Sequence, residues 1–235
     1  MLLYIIRHGD PIYETDSLTE RGRAQAEALA KRLAASGIDR VFSSPMGRAR
    51  QTAEPTCRLL RLDYTVEEWA HEIGDEHRLT PYPDGELKSV SLLDRVHFRR
   101  DGGIDLSYER AFEAPGFSQS GMKAAQDYIS AAGDEFLERL GYKQENGIYR
   151  ILAPNEQKVA LFCHAGLGKI LISHLLHIPL HLMWAGFHYD HSGVTIIEFK
   201  NTKSGFTVPR LLCYSDMSHL YADGPDMLYC GRFEV

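Results

Sequence analysis

The sequence is short of the features that would assign it to a membrane, a nucleic acid or a metal centre. No apolar run approaches the ~18 residues of a membrane span. Residues 1–6 carry neither a basic leader nor a cleavage site, so a cytoplasmic protein is expected. The four cysteines, Cys57, Cys163, Cys213 and Cys230, are dispersed and make no C-x-x-C pair, which indicates neither a zinc site nor a disulfide framework. A basic excess is missing too. With 26 Lys and Arg against 32 Asp and Glu, the formal charge is −6, and nothing electrostatic points to nucleic acid or an anionic membrane as a partner. There are no internal repeats and no low-complexity segment. What remains is an ordinary globular composition, 44% hydrophobic and 25% charged over 235 residues, which suits a single α/β domain with an insertion. Any substrate preference must therefore arise from a local site.

Residues 2–6 form a continuous apolar run that stops at Arg7-His8-Gly9, as expected of a central strand buried on both faces. Thr19 then signals a helix whose small and apolar residues, Gly22, Ala26, Leu29, Ala30 and Leu33, share one face, and Gly37 closes it. A strand is predicted over 40–43, a second helix from about Pro45 to about Leu60, and a third strand over 64–68. This alternation argues for α/β architecture, a mostly parallel central sheet with helices on both faces, in which ligands bind outside the carboxyl ends of the strands. Residues 74–120 have weak periodicity and clustered charge at Arg95, Arg99, Arg100 and Asp101, and read as an insertion or cap. Met122, Ala125, Ile129, Ala132, Phe136 and Leu140 recur at helical spacing up to Gly141. Strands over 147–152 and 158–162, an apolar helix over 166–177 stopped by Pro179, and a closing strand pair over 194–199 and 206–214 complete the pattern.

Chemistry-bearing residues recur where predicted strands end. His8 follows the first strand with Arg7 beside it, and the glycine at position 9 lets backbone approach a ligand closely; a histidine there could also simply cap the strand. Arg48 lies in the first turn of the second helix, where free amides and the helix dipole already favour an anion, whereas Arg50 is expected to face solvent. His164, in Cys163-His164-Ala165-Gly166, again stands between an apolar strand and a helix. Strand ends that bring two histidines and two arginines to one crevice point to a phosphate-binding site.

These residues resemble the histidine phosphatase superfamily, also called phosphoglycerate-mutase-like. Arg7-His8-Gly9 resembles its nucleophile motif, residues 18–22 its following helix start, residues 43–53 its arginine-bearing segment, and residues 163–166 its second histidine motif. Residues 192–198 and 216–220 are similar to its closing segments, and only 74–120 is poorly covered. The resemblance implies that His8 is the nucleophile and that Arg7, Arg48 and His164 bind phosphoryl oxygens; Ala165 and Tyr13 are further candidate substrate-binding positions. In 67–73 the alignment selects Glu72 as general acid, with Glu67 and Glu68 as alternatives. Such an acid must hold a proton when the ester binds, so the rate should fall on the alkaline side. Positioning and charge stabilisation by arginines and His164 require neither a metal nor another cofactor. The expected partner is a small phosphorylated substrate; oligomeric state is not readable.

Departures from the family pattern bear on the reaction. Asp10 stands where glutamate is usual, Cys163 and Ala165 replace the usual hydroxyl and glycine, and only eight residues separate Gly9 from Leu18. So short a loop favours hydrolysis over phosphoglycerate-mutase-like transfer, the alternative enzyme reading. A pseudo-enzyme that binds phosphorylated ligands without turnover is the non-catalytic alternative. His188 and His191 in His-Tyr-Asp-His are read as solvent or crevice-rim residues, not metal ligands, because the segment precedes a strand. Tyr13, His97, Tyr108 and Phe112 are candidates for lining a substrate pocket.

Overall fold

The apolar run near the amino terminus forms strand β1 (Leu2–Arg7), whose interior residues Leu3, Tyr4, Ile5 and Ile6 are all buried. The computed structural model describes residues 1–82, 85–90 and 103–223, which fall into two compact units. The first comprises Met1–His71, Pro154–Ala165 and the chain from Tyr189 onward, and the second comprises Glu72–Ala153 and Gly166–His188. His97, Cys230 and the charge cluster at 95–101 lie outside the described residues.

In the first unit, β2 (Pro11–Ile12) and β3 (Ser17–Leu18) pair antiparallel as a small hairpin after β1. Helix α1 (Glu20–Ser36) begins at Thr19, whose hydroxyl accepts the Gly22 N–H (2.9 Å). It ends at Gly37, which takes the left-handed backbone (φ 72°) that closes a helix without a Cβ clash. Its buried stripe is the predicted one, joined by Gln25. Strand β4 (Arg40–Ser43) leads into α2 (Gly47–Leu60), which continues through Pro55, and β5 (Tyr64–Val66) follows. This strand is shorter than predicted because Glu68–Ala70 turn into a 3-10 helix, burying Trp69, whose indole N–H donates to Glu67 (2.8 Å).

The second unit opens with α3 (Asp75–Arg78) and the antiparallel pair β6 (Leu79–Pro81) and β7 (Leu87–Ser89), all within the stretch read as an insertion. Helix α4 (Met122–Arg139) is the predicted core helix. A hairpin of β8 (Tyr142–Glu145) and β9 (Ile148–Ile151) follows, of which β8 is unexpected, since Lys143, Gln144 and Glu145 give it no apolar run. Its signal is the turn: Asn146 and Gly147 both have positive φ (53° and 84°), as a tight hairpin requires. Strand β10 (Lys158–Cys163) belongs to the first unit. Helix α5 (Ala165–Leu176), apart from its first residue, and an unpredicted α6 (Leu180–Gly186) belong to the second. The chain closes in the first unit with β11 (Val194–Glu198), the short β12 (Phe206–Thr207) and β13 (Arg210–Asp216).

The first unit is built on a six-stranded sheet in the order β13-β11-β1-β10-β4-β5. Strands β1, β10, β4 and β5 run parallel, while β11 is antiparallel to both β1 and β13. Tyr4, Ile6, Val41, Ala160 and Phe162 pack against Leu29 and Leu33 of α1 and Ala53 and Cys57 of α2. Leu3, Ile5, Val159 and Leu161 are completely buried as well, so the central strands have no solvent-facing side, which explains their unbroken apolar runs. The register sets Arg7 beside Cys163 and Phe162 beside Ser43, and the carboxyl ends of β1, β10 and β4 therefore finish together. Among the described residues no helix is long and apolar enough to cross a membrane.

Candidate active site

The strand ends place His8, Ser44 and His164 in one neighbourhood, and backbone hydrogen bonds hold them there. The His8 N–H donates to the Cys163 carbonyl (2.9 Å), Ser44 N–H to the Phe162 carbonyl (2.8 Å), and Ser192 N–H to the His8 carbonyl (3.0 Å). His8 is 1% exposed, and its Nδ1 lies 2.7 Å from the Gly9 carbonyl oxygen. A carbonyl only accepts, so Nδ1 carries the proton and the neutral ring keeps its lone pair on Nε2. Arg48 Nε donates to that Nε2 (3.2 Å). Burial first, then the neighbouring His164 and Arg7, hold the His8 imidazole well below its ordinary pKa of 6.5, so it is neutral at physiological pH.

The His164 ring is completely buried, with its centroid 5.2 Å from that of His8. Its Nε2 is 2.7 Å from Ser44 Oγ, and its buried Nδ1 has no partner among the described residues. This imidazole too is held well below 6.5, by burial first and then by the positive field of Arg48 and Arg7 and by His71. Gly9 departs from expectation. A Cβ there would stand 2.7 Å from the Gly22 carbonyl oxygen, so the close approach that excludes a side chain is to the start of α1.

Both arginines are held by protein partners. Arg48, 5% exposed in the first turn of α2, ion-pairs through Nη1 with Asp16 (2.5 Å). The second oxygen of Asp16 accepts the Gly47 N–H (2.5 Å), supplying the helix start that Met46 cannot cap with its own side chain. Tyr13 is exposed, and the Arg48 guanidinium sits 5.5 Å above its ring. Arg7 donates from Nη1 to the Tyr189 carbonyl (2.5 Å) and from Nη2 to His191 Nε2 (2.7 Å). The His191 ring lies 5.5 Å from that of His8, so this residue is part of the site and not merely on its rim, whereas His188 is exposed. Arg50 faces solvent as expected, donating to the Tyr64 hydroxyl (3.1 Å).

Motif reading passed over Asp16 and Ser44 and left His191 in solvent or at the crevice rim. The Asp16 signal is slight, an acid in a short loop; Ser44 lay in the open, one residue past a predicted strand. Among the acid candidates, Glu67 is buried against Trp69 and Glu68 is exposed. In the second unit, the Glu72 carboxylate accepts the N–H groups of Gly166 (3.3 Å) and Leu167 (3.1 Å) at the start of α5. A Cβ on Gly166 would come 2.7 Å from that carboxylate, which is why glycine stands there. Ala165 is the first residue of α5. Tyr108 and Phe112 also belong to the second unit: Tyr108 accepts from Gln126 (2.6 Å) and stacks on His177, and Phe112 packs on Phe117. Among the described residues, no group of three or more His, Cys, Asp or Glu side chains is arranged to hold a metal ion.

The sequence model of the histidine phosphatase superfamily (branch 1) matches residues 3–80 and 111–210, well over half of the chain. The chain belongs to that superfamily. Over 223 residues it is 24% identical to a protein of Hydrogenobacter thermophilus provisionally named phosphoserine phosphatase 2, covering 91% of this chain and 97% of that one. It is 29% identical over 131 residues to a GpmB protein of Cronobacter sakazakii, named as a probable phosphoglycerate mutase, with 44% of this chain and 61% of that one covered. A solved structure of Entamoeba histolytica phosphoserine phosphatase, a histidine-to-alanine mutant in complex with phosphoserine, shares the fold: TM-score 0.61 at 22% identity, covering 93% of this chain and 98% of that one. In this superfamily member, a neutral imidazole with a directed lone pair sits among two guanidinium groups and a second imidazole. That combination suits nucleophilic attack on an anionic, tetrahedral centre.

Proposed function

We propose that the protein is a phosphatase that hydrolyses a small phosphomonoester through a phosphohistidine on His8. The observation that carries this reading is the His8 ring itself, with Nδ1 committed to the Gly9 carbonyl and Nε2 left as a lone pair facing Arg48. In the first step, Nε2 attacks phosphorus as the ester P–O bond breaks, and Glu72 gives its proton to the departing alkoxide. In the second, Glu72 takes a proton from the water that attacks the phosphohistidine, releasing inorganic phosphate and the free imidazole. Arg7, Arg48 and His164 bind the phosphoryl oxygens and stabilise the charge that spreads over them. Ala165 and Tyr13 border the bound substrate.

Glu72 is taken as the acid because the family resemblance selects it, while Glu67 is engaged by Trp69 and Glu68 stands in solvent. Hydrolysis is favoured over mutase chemistry because the loop after Gly9 is a tight hairpin, β2 with β3, and places an acid against Arg48. The buried free thiols Cys57 and Cys163 accord with a reducing, cytoplasmic setting. The test is a panel of phosphate monoesters, including phosphoserine, 3-phosphoglycerate, sugar phosphates and nucleotides, assayed with a chelator present. Phosphate release by the native protein and its loss in His8→Ala are expected; full turnover by His8→Ala would refute the assignment.

A further inference from the structure

Arg7 is gripped at both terminal nitrogens by the segment that precedes β11. Nη1 donates to the Tyr189 carbonyl and Nη2 to His191 Nε2. A guanidinium only donates, so His191 accepts at Nε2, and its neutral ring carries the proton on Nδ1. That nitrogen lies 3.5 Å from Asp10 Oδ1, so a neutral N–H faces the carboxylate at a distance longer than a tight hydrogen bond. Asp10 is itself anchored. Its Oδ2 accepts the Thr19 hydroxyl (2.7 Å), and its N–H donates to Gln25 of α1 (2.8 Å). A continuous line thus runs from the start of α1 through Asp10 and His191 to the guanidinium of Arg7.

We propose that His191 is a positioning residue, held by Asp10, that sets the plane of the Arg7 guanidinium for the phosphoryl group. A planar fork grips a tetrahedral anion well only when its two N–H vectors point at the oxygens, and a long flexible side chain does not hold that plane unaided. An acceptor on one edge restricts rotation of the guanidinium, and that acceptor stands beside His8, with ring centroids 5.5 Å apart. Asp10 keeps the His191 proton on Nδ1 and the accepting lone pair on the arginine side. This inference rests on the phosphoryl-transfer reading of the site.

The experiment compares His191→Gln, whose side-chain oxygen can still accept, with His191→Leu, of similar size but without an acceptor. Each is made in the native and the Arg7→Ala backgrounds, with folding checked by thermal melts, and His191→Ala, which also lacks an acceptor, replaces the leucine form should that not fold. Orthovanadate affinity is read by calorimetry, independently of turnover, alongside kcat and KM for a hydrolysed monoester. His191→Leu should weaken vanadate binding roughly tenfold or more while His191→Gln stays within about threefold. In the Arg7→Ala background the two should be indistinguishable. Equal behaviour of the two variants in the native background, or an undiminished leucine defect without Arg7, would overturn the inference alone. Failure of the native protein to bind vanadate would remove the functional reading, and the inference with it.

Discussion

Each nitrogen of the His8 ring is used in one sense: Nδ1 gives a proton to a carbonyl and Nε2 receives one from a guanidinium. The ring therefore offers a lone pair at Nε2 only while it is neutral, and burial together with the nearby His164 and Arg7 keeps it so. Followed by NMR as pH is lowered, the His8 imidazole should remain neutral through 6.5 and protonate only well below it; titration at or above 6.5 would contradict the described environment. Arg48 makes its contact at that lone pair itself. Arg48→Ala should raise the barrier by about 2 to 4 kcal/mol, seen as a fall in kcat with folding intact. Arg7, His8, Arg48 and His164 were legible in the sequence because each stands where an apolar run gives way to a polar or helical start. Asp16 and His191 were not, since an aspartate in a loop or a histidine before a strand has many ordinary uses.

At the scale of elements, the site is made by the ends of β1, β10 and β4, and this much followed from alternating strand and helix patterns. The fourth contribution was hidden. Strand β11 runs antiparallel to β1, so its beginning, not its end, meets the carboxyl end of β1. Arg7 N–H accordingly donates to the Gly193 carbonyl (3.2 Å), and Ser192 N–H to that of His8, contacts that depend on a strand direction which apolar periodicity does not encode. The start of α2 illustrates a second kind of illegibility, since its capping group comes from Asp16, 31 residues earlier in the chain. Removing that acceptor in Asp16→Ala should lower stability by about 1 kcal/mol, read from the denaturant midpoint at unchanged slope. An unchanged midpoint would mean that the contact contributes nothing to the helix.

Across the whole molecule, the buried His8 and His164 and the half-buried His219 act on stability in the same direction. His8 and His164 are held well below 6.5, and His219 is lowered to about 4 by burial first and then Arg32, against a smaller opposing effect of Asp216. The unfolded chain takes up these protons near 6.5, whereas the folded one resists them. Their contribution to stability is thus complete above 6.5 and is lost as pH falls toward the folded values, down to about 4 for His219. Denaturant unfolding should show stability declining from about pH 7.5 to about pH 5; a constant or rising value would be inconsistent with neutral buried imidazoles. The division into two units was less legible than the sheet, because the chain crosses between them several times and the charged strand β8 lacks an apolar signature.

Chemical trapping of the covalent state bears most directly on the nucleophile. Native protein is mixed with a hydrolysed phosphomonoester, quenched in alkali to preserve an acid-labile N–P bond, and mapped by peptide mass spectrometry. One phosphoryl group is expected on the peptide containing His8, carried on the ring nitrogen Nε2, and none in His8→Ala. A phosphoryl group on any other side chain would contradict that assignment, as would its formation in the protein that lacks the His8 imidazole.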